Sequence, residues 1–285
     1  MKIFVFNWGF GVESSAQICC WFFQPGTRPF RSWKQVVIVS AQTGDEVWRT
    51  KELAELFILP LLRRVGCLFI EIGKAGPLEK NGYVTLSATT QPYVLHIRSE
   101  EIHSLGDNME IDGWVPRLNR PHLCAQKWKG KILDQLIGDI IYSLKIAMRA
   151  LAVLLLCHRY SFHYPFLFQY ILFLLEEPIQ IGPYLGYNAD EIKRMKDSLD
   201  YGCYGESFVY PLIEDAWTRD DCLEYLYQLF QVVWHKSCCD HCPFQSKINR
   251  RKHYADDPIG ASRAMWREYI AMAANPRMKL FDSES

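Results

Sequence analysis

Hydrophobic positions in the first third of the chain alternate between short β-like runs and helical stretches. Residues 2–7 are extended, residues 14–23 have helical apolar spacing, and residues 35–40 form a continuous β-branched run. A helix is expected from about Arg49 to Val65, and residues 67–72 predict a third strand. This alternation indicates an α/β fold with a parallel sheet and right-handed crossovers, whose ligand site lies at the carboxyl ends of the strands.

The pattern changes twice further along the chain. Residues 74–122 lack regular periodicity, which predicts a long insertion that serves as a lid or a substrate-facing hairpin. The chain becomes helical from Gly130, and a last helical segment is expected over 218–234. These changes predict an α/β domain over 1–215, carrying the insertion, and a helical C-terminal region over 216–285.

Composition excludes several classes of protein. Polar residues at 158–161 interrupt the longest apolar region, 147–175, so neither half reaches the roughly 20 residues of a membrane span, and a buried helix is expected. The first residues lack the cleavage site of a signal peptide. The 32 Lys and Arg residues equal the 32 Asp and Glu residues, so no long-range field steers the protein towards nucleic acid or an anionic membrane. We therefore expect a cytoplasmic protein without membrane contact.

The chain contains ten cysteines, which without a secretion signal favours reduced thiols over a disulfide scaffold. Cys239 and Cys242 form a Cys-x-x-Cys pair, whose two-residue spacer folds both sulfurs to one side, where they can bind a metal. Cys124 and Cys238 also lie among polar, turn-like residues. Three interpretations stay open: a [4Fe-4S] cluster, structural Zn²⁺, and free or redox-active thiols.

A glycine-bearing turn at residues 9–15 follows the first strand. Gly9 and Gly11 allow a tight turn, while Ser14 and Ser15 offer hydroxyls beside the unpaired N–H groups of the helix start, which together form an anion site. The alternative is a strand-to-helix turn that uses the same residues for bending and capping. The spacing matches neither the Walker-type pattern nor the dinucleotide pattern.

Five segments, in the same order along the chain, resemble the phosphoadenosine phosphosulfate (PAPS) reductase-like family of the PP-loop superfamily, which is also known as the adenine nucleotide alpha hydrolase or ATP pyrophosphatase superfamily. Residues 9–14 are similar to its Ser-Gly-Gly-x-Asp-Ser loop, and residues 43–46 to its Asp-Thr-Gly-x-Glu segment, with Gln42 in the place of the aspartate. The other three similar segments are 121–129, 185–194 and 210–218. Residues 237–244 also resemble the Ser-x-Cys-x-x-Cys-Pro-Phe ending of many proteins of this family. The resemblance implies a Rossmann-like sheet that binds ATP or another adenine nucleotide, such as PAPS or adenylylsulfate (APS).

The resemblance also implies roles for individual residues. Asp45 and Glu46 are candidate Mg²⁺ or ribose contacts, with plain helix-start carboxylates as the alternative. Lys129 and Arg194 are candidate catalytic cations for the phosphates, with solvated surface charges as the alternative. Cys124 joins the Cys-x-x-Cys pair as a third metal ligand, and the fourth is Cys238, Cys203 or His241. The cofactor-binding set is Gly9, Gly11, Ser14, Ser15, Thr43, Gly44, Asp45 and Glu46.

Three functions follow from the resemblance. The first is ATP-dependent activation of an acceptor, by adenylation or sulfur transfer, in which catalysis is positioning and charge stabilisation. The second is a genuine sulfonucleotide reductase, which is disfavoured because no cysteine follows Cys242. The third is a non-catalytic nucleotide-binding subunit, because Phe10 puts bulk beside the phosphates and Gln42 removes a carboxylate. Expected partners are a sulfur-donor protein or nucleic-acid acceptor, in a homo-oligomer or a larger complex.

Overall fold

A five-stranded sheet forms the centre of the computed structural model, which describes residues 2–116, 124–157, 180–192 and 208–279. The order of the strands is β4-β3-β2-β1-β5, and all neighbouring pairs are parallel except β3 and β4. The predicted α/β class with a mostly parallel sheet is confirmed. The strands are β1 (Lys2–Asn7), β2 (Val36–Gln42), β3 (Leu68–Lys74), β4 (Tyr83–Thr89) and β5 (Gln180–Leu185).

Helices follow most of the strands. The helix expected from about Arg49 to Val65 is present, with a π-helical turn, Ala54–Ile58, between its two α-helical parts. A second π-helical segment, Ala125–Gly130, leads into the longest described helix. The α-helices are α1 (Val12–Phe23), α2 (Trp48–Leu53), α3 (Leu59–Val65), α4 (Leu105–Asp112), α5 (Lys131–Cys157), α6 (Pro211–Glu214), α7 (Arg219–Phe230), α8 (Lys247–Asp256) and α9 (Pro258–Ala274).

Both faces of the sheet are buried. Alternate residues of β1 point to opposite faces: Phe4 and Phe6 belong to one hydrophobic cluster and Val5 to another. The first cluster includes residues of α1, α2, α3 and α7, and the second is closed by Ile132 and Leu136 of α5. Coverage on both faces explains why β2 is a continuous apolar run rather than an alternating one.

The stretch 74–122 contains regular structure that its weak periodicity concealed. It holds β4, which forms an antiparallel edge beside β3, and helix α4. Strand β5 was also not expected from the sequence, because Gly182 and Pro183 interrupt its pattern. Proline is tolerated there because β5 pairs with β1 and ends the strand order. Among the described residues, no helix is long and apolar enough to cross a membrane.

The strand order reverses between β1 and β5. The chain adds β2 and β3 on one side of β1 and then places β5 on the other side. In an open parallel sheet, the loops that leave two such strands diverge and leave a crevice at the carboxyl edge, where the parallel strands end. Gly186, directly after β5, approaches α1 closely: a Cβ atom there would lie 2.7 Å from the Ser14 Cα atom.

The C-terminal elements pack onto this carboxyl edge. Helix α7 lies against α1, and the segment before α8 crosses the loop that follows β2. Val47 N donates to Cys238 O at 3.0 Å, and Asp240 N donates to Asp45 O at 2.8 Å. The cysteine-bearing segment, residues 237–242, is therefore held against the edge of the sheet where a ligand site is expected.

Candidate functional site

The loop after β1 has an unusual residue at its centre. Phe10 adopts a left-handed backbone with φ of 60°, and its ring is buried against Trp8, with the ring centroids 4.7 Å apart. The Trp8 indole Nε1 donates to Ser15 Oγ at 3.1 Å. The ring of Phe10 therefore points into the core, so its bulk does not lie on the outer side of the loop where the sequence suggested a clash with phosphate.

The outer side of this loop is open. A Cβ atom added to Gly9 would meet no atom within 4 Å, while one on Gly11 would lie 3.1 Å from Ser237 Oγ. Gly11 is the N-cap of α1, and the first N–H groups of an α-helix have no partner within the helix. The loop thus presents helix N–H groups beside free space, with Ser237 of the C-terminal segment at its border.

The acidic residue in the first turn of α1 is neutralised. Arg219 Nη1 lies 2.9 Å from Glu13 Oε1, and Asn188 Nδ2 donates to the same oxygen at 3.3 Å. The carboxylate of Glu13 is therefore paired, which reduces its repulsion of an anion at the helix start. Ser14 Oγ donates to Gly11 O at 3.4 Å, a long contact that leaves its lone pairs available.

Thr43 and Glu46 form a compact unit in the loop after β2. The Thr43 N–H and hydroxyl donate to Glu46 Oε1 at 2.9 Å and 2.8 Å, and Lys129 Nζ lies 3.7 Å from the same oxygen. Glu46 Oε2 is buried and has no hydrogen-bond partner in the described part of the chain. A buried carboxylate oxygen without a partner is costly, which makes it a candidate acceptor for a ligand hydroxyl or a metal ion.

Asp45, by contrast, is fully engaged by the protein. It accepts a hydrogen bond from Gly106 N at 2.7 Å, and it pairs with Arg267 Nη1 at 2.7 Å and with Arg263 Nη2. Burial by itself would raise the pKa of Asp45, but the charges of His241, Arg267 and Arg263 outweigh it and lower the pKa. Asp45 thus links α9 to the loop after β2 through its two arginine partners, whereas Glu46 retains one carboxylate oxygen without a hydrogen-bond partner among the described residues.

Gln42 lies beside a carboxylate on the neighbouring strand. The Gln42 amide donates to Glu71 Oε1, and the His96 ring contacts Glu71 Oε2 at 2.7 Å. Glu71 is completely buried. An aspartate at position 42 would place a second negative charge beside Glu71, so the neutral amide matches its surroundings. The hydrogen bond to Glu71 raises the pKa of His96.

One of the four predicted metal-binding cysteines, Cys239, contacts the Thr43–Glu46 unit. Cys239 Sγ lies 3.1 Å from Thr43 Oγ1, and its thiol interacts electrostatically with the Glu46 carboxylate and the Cys124 thiol. Burial raises the pKa of Cys239 well above its usual value, and it also raises the pKa of Cys242, which interacts with Cys124. Burial thus favours the neutral form of Cys239 and Cys242 over the thiolate.

Cys238 interacts electrostatically with Cys242, and its sulfur also contacts polar side chains. Gln245 Nε2 donates to its sulfur at 2.9 Å, and His253 Nδ1 lies 3.9 Å away. The other proposed ligand, His241, is buried, and burial lowers its pKa to about 4. Within the described ranges, no group of three or more His, Cys, Asp or Glu side chains is arranged to hold a metal ion. The predicted [4Fe-4S] cluster and Zn²⁺ stay predictions, and we derive no step through either of them.

The structure locates most of the other predicted site residues at the carboxyl edge. Gly9, Gly11, Ser14, Ser15 and the loop 43–46 follow β1 and β2, and Lys129 reaches Glu46 from the segment before α5. Arg194 and Cys203 lie outside the described residues, as do the final residues of the chain.

Sequence reasoning missed three residues that shape this edge. Lys74 ends β3, and its Nζ atom lies 4.4 Å from the centroid of the Trp128 ring; burial and the charge of Lys127 lower its pKa. Arg263 and Arg267 pair with Asp45 from more than two hundred positions away. Their four-residue spacing, which places two arginines on one side of a helix, was the available signal.

Comparison with known proteins finds no relative of this chain. No family model matches the sequence, and no curated protein or solved structure matches it significantly. Inference about function therefore depends on the residues and the geometry described above.

Proposed function

We propose that the chain is a PAPS reductase-like enzyme of the PP-loop superfamily, with a Rossmann-like sheet, that uses ATP to activate an acceptor by adenylation or sulfur transfer. The observation that carries the proposal is the convergence of three loops at the reversal of strand order. These loops follow β1, β2 and β5. Gly186 approaches Ser14, and the segment at Ser237 and Cys238 borders both Gly11 and Val47. Ligands of open parallel sheets bind at such a point.

The open side of the β1 loop is suited to phosphates. The N-terminus of α1 carries partial positive charge and free N–H groups, and Gly9 leaves the space above the turn unfilled. Ser14 and Ser15 lie in the first turn, although Ser15 Oγ already accepts from Trp8. We assign the phosphate contacts to the backbone at residues 9–14 and to the Ser14 hydroxyl.

Glu46 and Lys129 supply the charges on the other side of the crevice. Glu46 Oε2 is the oxygen available to a ribose hydroxyl or to Mg²⁺, and Lys129 balances the negative charge that a phosphate brings. Mg²⁺ favours oxygen ligands and usually keeps several waters, so one carboxylate oxygen together with nucleotide phosphates suits it. The protein's part in catalysis is then to orient the α-phosphate towards the acceptor and to stabilise the charge that develops.

The second candidate function is sulfonucleotide reduction, which the position of Cys239 favours. Its sulfur lies 3.1 Å from Thr43 Oγ1, beside the proposed nucleotide site. A thiolate is the nucleophile in such chemistry, however, and burial raises the pKa of this thiol. We rank acceptor activation first because the open turn at Gly9, the Glu46 oxygen without a partner and Lys129 serve it without a thiolate. A non-catalytic binding subunit stays the third possibility, because Asp45 is held by two arginines.

The first test is nucleotide binding by the full chain and by a variant that fills the open space. A Gly9→Val side chain meets no protein atom at its Cβ position, so the fold should be unaffected while ATP binding weakens at least about tenfold. The matched control is Gly26→Val, because Gly26 is equally open but lies far along the chain from the site, in the turn Pro25–Thr27. Calorimetric titration of ATP with Mg²⁺ measures the effect.

Product analysis separates the three functions. Release of pyrophosphate or AMP from ATP supports acceptor activation. Release of sulfite from PAPS or APS with a thiol donor instead supports the sulfonucleotide reductase. Binding without turnover, retained by the Glu46→Gln variant, supports the binding subunit. If the Gly9→Val and Gly26→Val variants bind ATP with equal affinity, the loop after β1 is not the phosphate site. Iron and zinc analysis of anaerobically purified protein tests the metal predictions.

A further inference from the structure

Helix α9 presents an aromatic surface to solvent. Its inner side is formed by buried residues such as Ala264, Arg267 and Ala271, which repeat at helical spacing. On the opposite side Trp266 and Tyr269 are 54% and 65% exposed, and their rings are stacked with centroids 5.8 Å apart and an interplanar angle of 24°. Such exposure of large aromatic side chains at adjacent positions is a feature of binding surfaces.

Helix α8 next to it is strongly basic. Four cations occur within six residues in a chain whose net charge is zero: Lys247, Arg250, Arg251 and Lys252. Three of them, Lys247, Arg251 and Lys252, are exposed to solvent. A block of this kind concentrates positive potential locally, which is the electrostatic footprint of a polyanion site.

The contacts of Tyr254 relate the basic side of α8 to the aromatic side of α9. Arg250 of α8 and Glu268 of α9 both interact electrostatically with the Tyr254 hydroxyl, so this side of α8 faces α9. An α-helix has 3.6 residues per turn, so Arg251 lies next to Arg250 around α8, on its solvent side. Met265 lies next to Glu268 around α9 in the same way, and both Arg251 and Met265 are exposed. We call the exposed residues 247 and 251 of α8, with 265, 266 and 269 of α9, the α8–α9 surface.

We propose that the α8–α9 surface binds single-stranded nucleic acid. Aromatic rings stack on unpaired bases whatever their sequence, and neighbouring cations contact the phosphates between them. A duplex hides the faces of its bases, so it would use the cations alone. A second copy of the chain fits less well, because the cores of protein interfaces are depleted of charged residues, lysine among them, whereas here cations border the rings.

The surface lies close to the proposed nucleotide site. On the inner side of α9, Arg263 Nη2 donates to Gly44 O at 3.1 Å, and Arg267 pairs with Asp45. A strand on the outer side would therefore be separated from the β2 loop by about one helix diameter, roughly 10 Å. Binding itself needs no nucleotide turnover, so it can be tested independently of the proposed function.

The test measures fluorescence anisotropy of labelled oligothymidylate and oligouridylate of about 12 nucleotides with the full chain, without ATP. Trp266→Ala and Tyr269→Ala should each weaken binding about tenfold, since both side chains are exposed and their loss leaves the fold intact. Arg251→Ala and Lys247→Ala should each lower the slope of log affinity against log salt concentration by about 0.7. Tyr142→Ala on α5 and Arg31→Ala, at other exposed positions, are the matched controls.

The oligomer composition distinguishes the sources of the ligand. Tighter binding of the uridylate identifies RNA as the partner, and tighter binding of the thymidylate identifies DNA. The proposal is overturned if neither oligomer binds at low salt, or if the Trp266 and Tyr142 variants bind equally well. It is also overturned if sedimentation shows a dimer that Trp266→Ala dissociates while oligomer binding is absent, since the surface would then join two copies of the chain.

Discussion

At position 10, the backbone and the side chain act on stability in opposite directions. A non-glycine residue with φ near 60° costs about 1–2 kcal/mol, while burial of the Phe10 ring against Trp8 stabilises the fold by more. We predict that Phe10→Gly lowers the free energy of unfolding by about 2–3 kcal/mol, because loss of a buried Phe costs about 3–5 kcal/mol and relief of the strain returns part of it. Urea unfolding measures the change.

Phe10→Ala is the comparison variant for this prediction. It removes the ring but keeps a Cβ atom at a positive φ, so it should be less stable than Phe10→Gly by about 1 kcal/mol. A Phe10→Gly protein more stable than the wild type would show that the ring contributes less than the strain costs. ATP affinity should be similar in both variants if the ring indeed points away from the phosphate side.

His96 makes stability depend on pH. The hydrogen bond to Glu71 raises the pKa of His96 above its unfolded value of about 6.5. Its contribution is therefore fully present below that unfolded pKa and is lost as pH rises through the folded pKa. We predict that His96→Gln destabilises the protein more at about pH 6 than at about pH 8, by less than about 1 kcal/mol since the side chain is 41% exposed.

Chemical denaturation of both proteins at the two pH values measures this difference. The variant keeps a side-chain amide that can donate to Glu71, so the comparison isolates the charge from the hydrogen bond. Equal destabilisation at both pH values would mean that protonation of His96 plays no part. Lys51 also acts on His96 and lowers its pKa, so measurements at fixed ionic strength are required.

Residue positions at the β1 turn were predictable, but their orientations and partners were not. The strand-turn-helix pattern that places Gly9 and Ser14 is local, so it can be recognised in a dozen residues. The inward direction of Phe10 depends on the sign of one φ angle, which residue type alone does not give. The pairing of Asp45 with Arg267 joins positions separated by 222 residues, and no local spacing encodes it.

At the scale of elements, one buried ion pair joins α9 to the loop after β2. Arg267 is 3% exposed and packs over Gly106, whose missing Cβ leaves the space that the guanidinium occupies. We predict that Arg267→Met lowers the free energy of unfolding by about 3–5 kcal/mol, because it leaves part of the charge of buried Asp45 uncompensated. Thermal unfolding with calorimetry measures the loss.

A double-mutant cycle separates the ion pair from simple packing. Adding Asp45→Asn to Arg267→Met should recover about 1–3 kcal/mol, since the remaining buried charge is then removed. Arg263→Met is the matched control, and it should cost less because Arg263 is 29% exposed. The wild type should also lose stability as pH falls through the lowered folded pKa of Asp45, whereas Asp45→Asn should lose less. Strict additivity in the cycle would rule out the coupling.

Elements with strong hydrophobic periodicity were predictable from the sequence, whereas elements that depend on tertiary contacts were not. The first strands and helices appear within a few residues of their expected bounds, because buried β-branched runs and helical apolar spacing determine them directly. Strand β4 is half-buried at the edge, so its alternation is weak. Strand β5 contains Gly182 and Pro183, and its pairing with β1 overrides their low β propensity.

At the scale of the whole molecule, the N-terminal sheet and the C-terminal helices contribute to one hydrophobic core and meet at the carboxyl edge of the sheet. Leu226 and Trp234 belong to the same hydrophobic cluster as Phe6, and the segment 237–242 hydrogen-bonds to the β2 loop. The sequence predicts two regions, 1–215 and 216–285, and residues of both contribute to this cluster. We therefore predict that the full chain unfolds in a single transition, with coincident midpoints from circular dichroism and tryptophan fluorescence.

The fragment 1–215 should accordingly fail to fold cooperatively. Removing residues 216–285 exposes the hydrophobic cluster beneath α7 and deprives buried Asp45 of both arginine partners. We expect the resulting loss of folding free energy to exceed the usual domain stability of about 5–15 kcal/mol. Near-ultraviolet circular dichroism and urea titration test this. Adding the separate fragment 216–285 should restore structure if the shared core is the cause. A sharp transition for 1–215 alone would instead establish that the sheet is an independent domain, with the C-terminal helices docked on a finished fold.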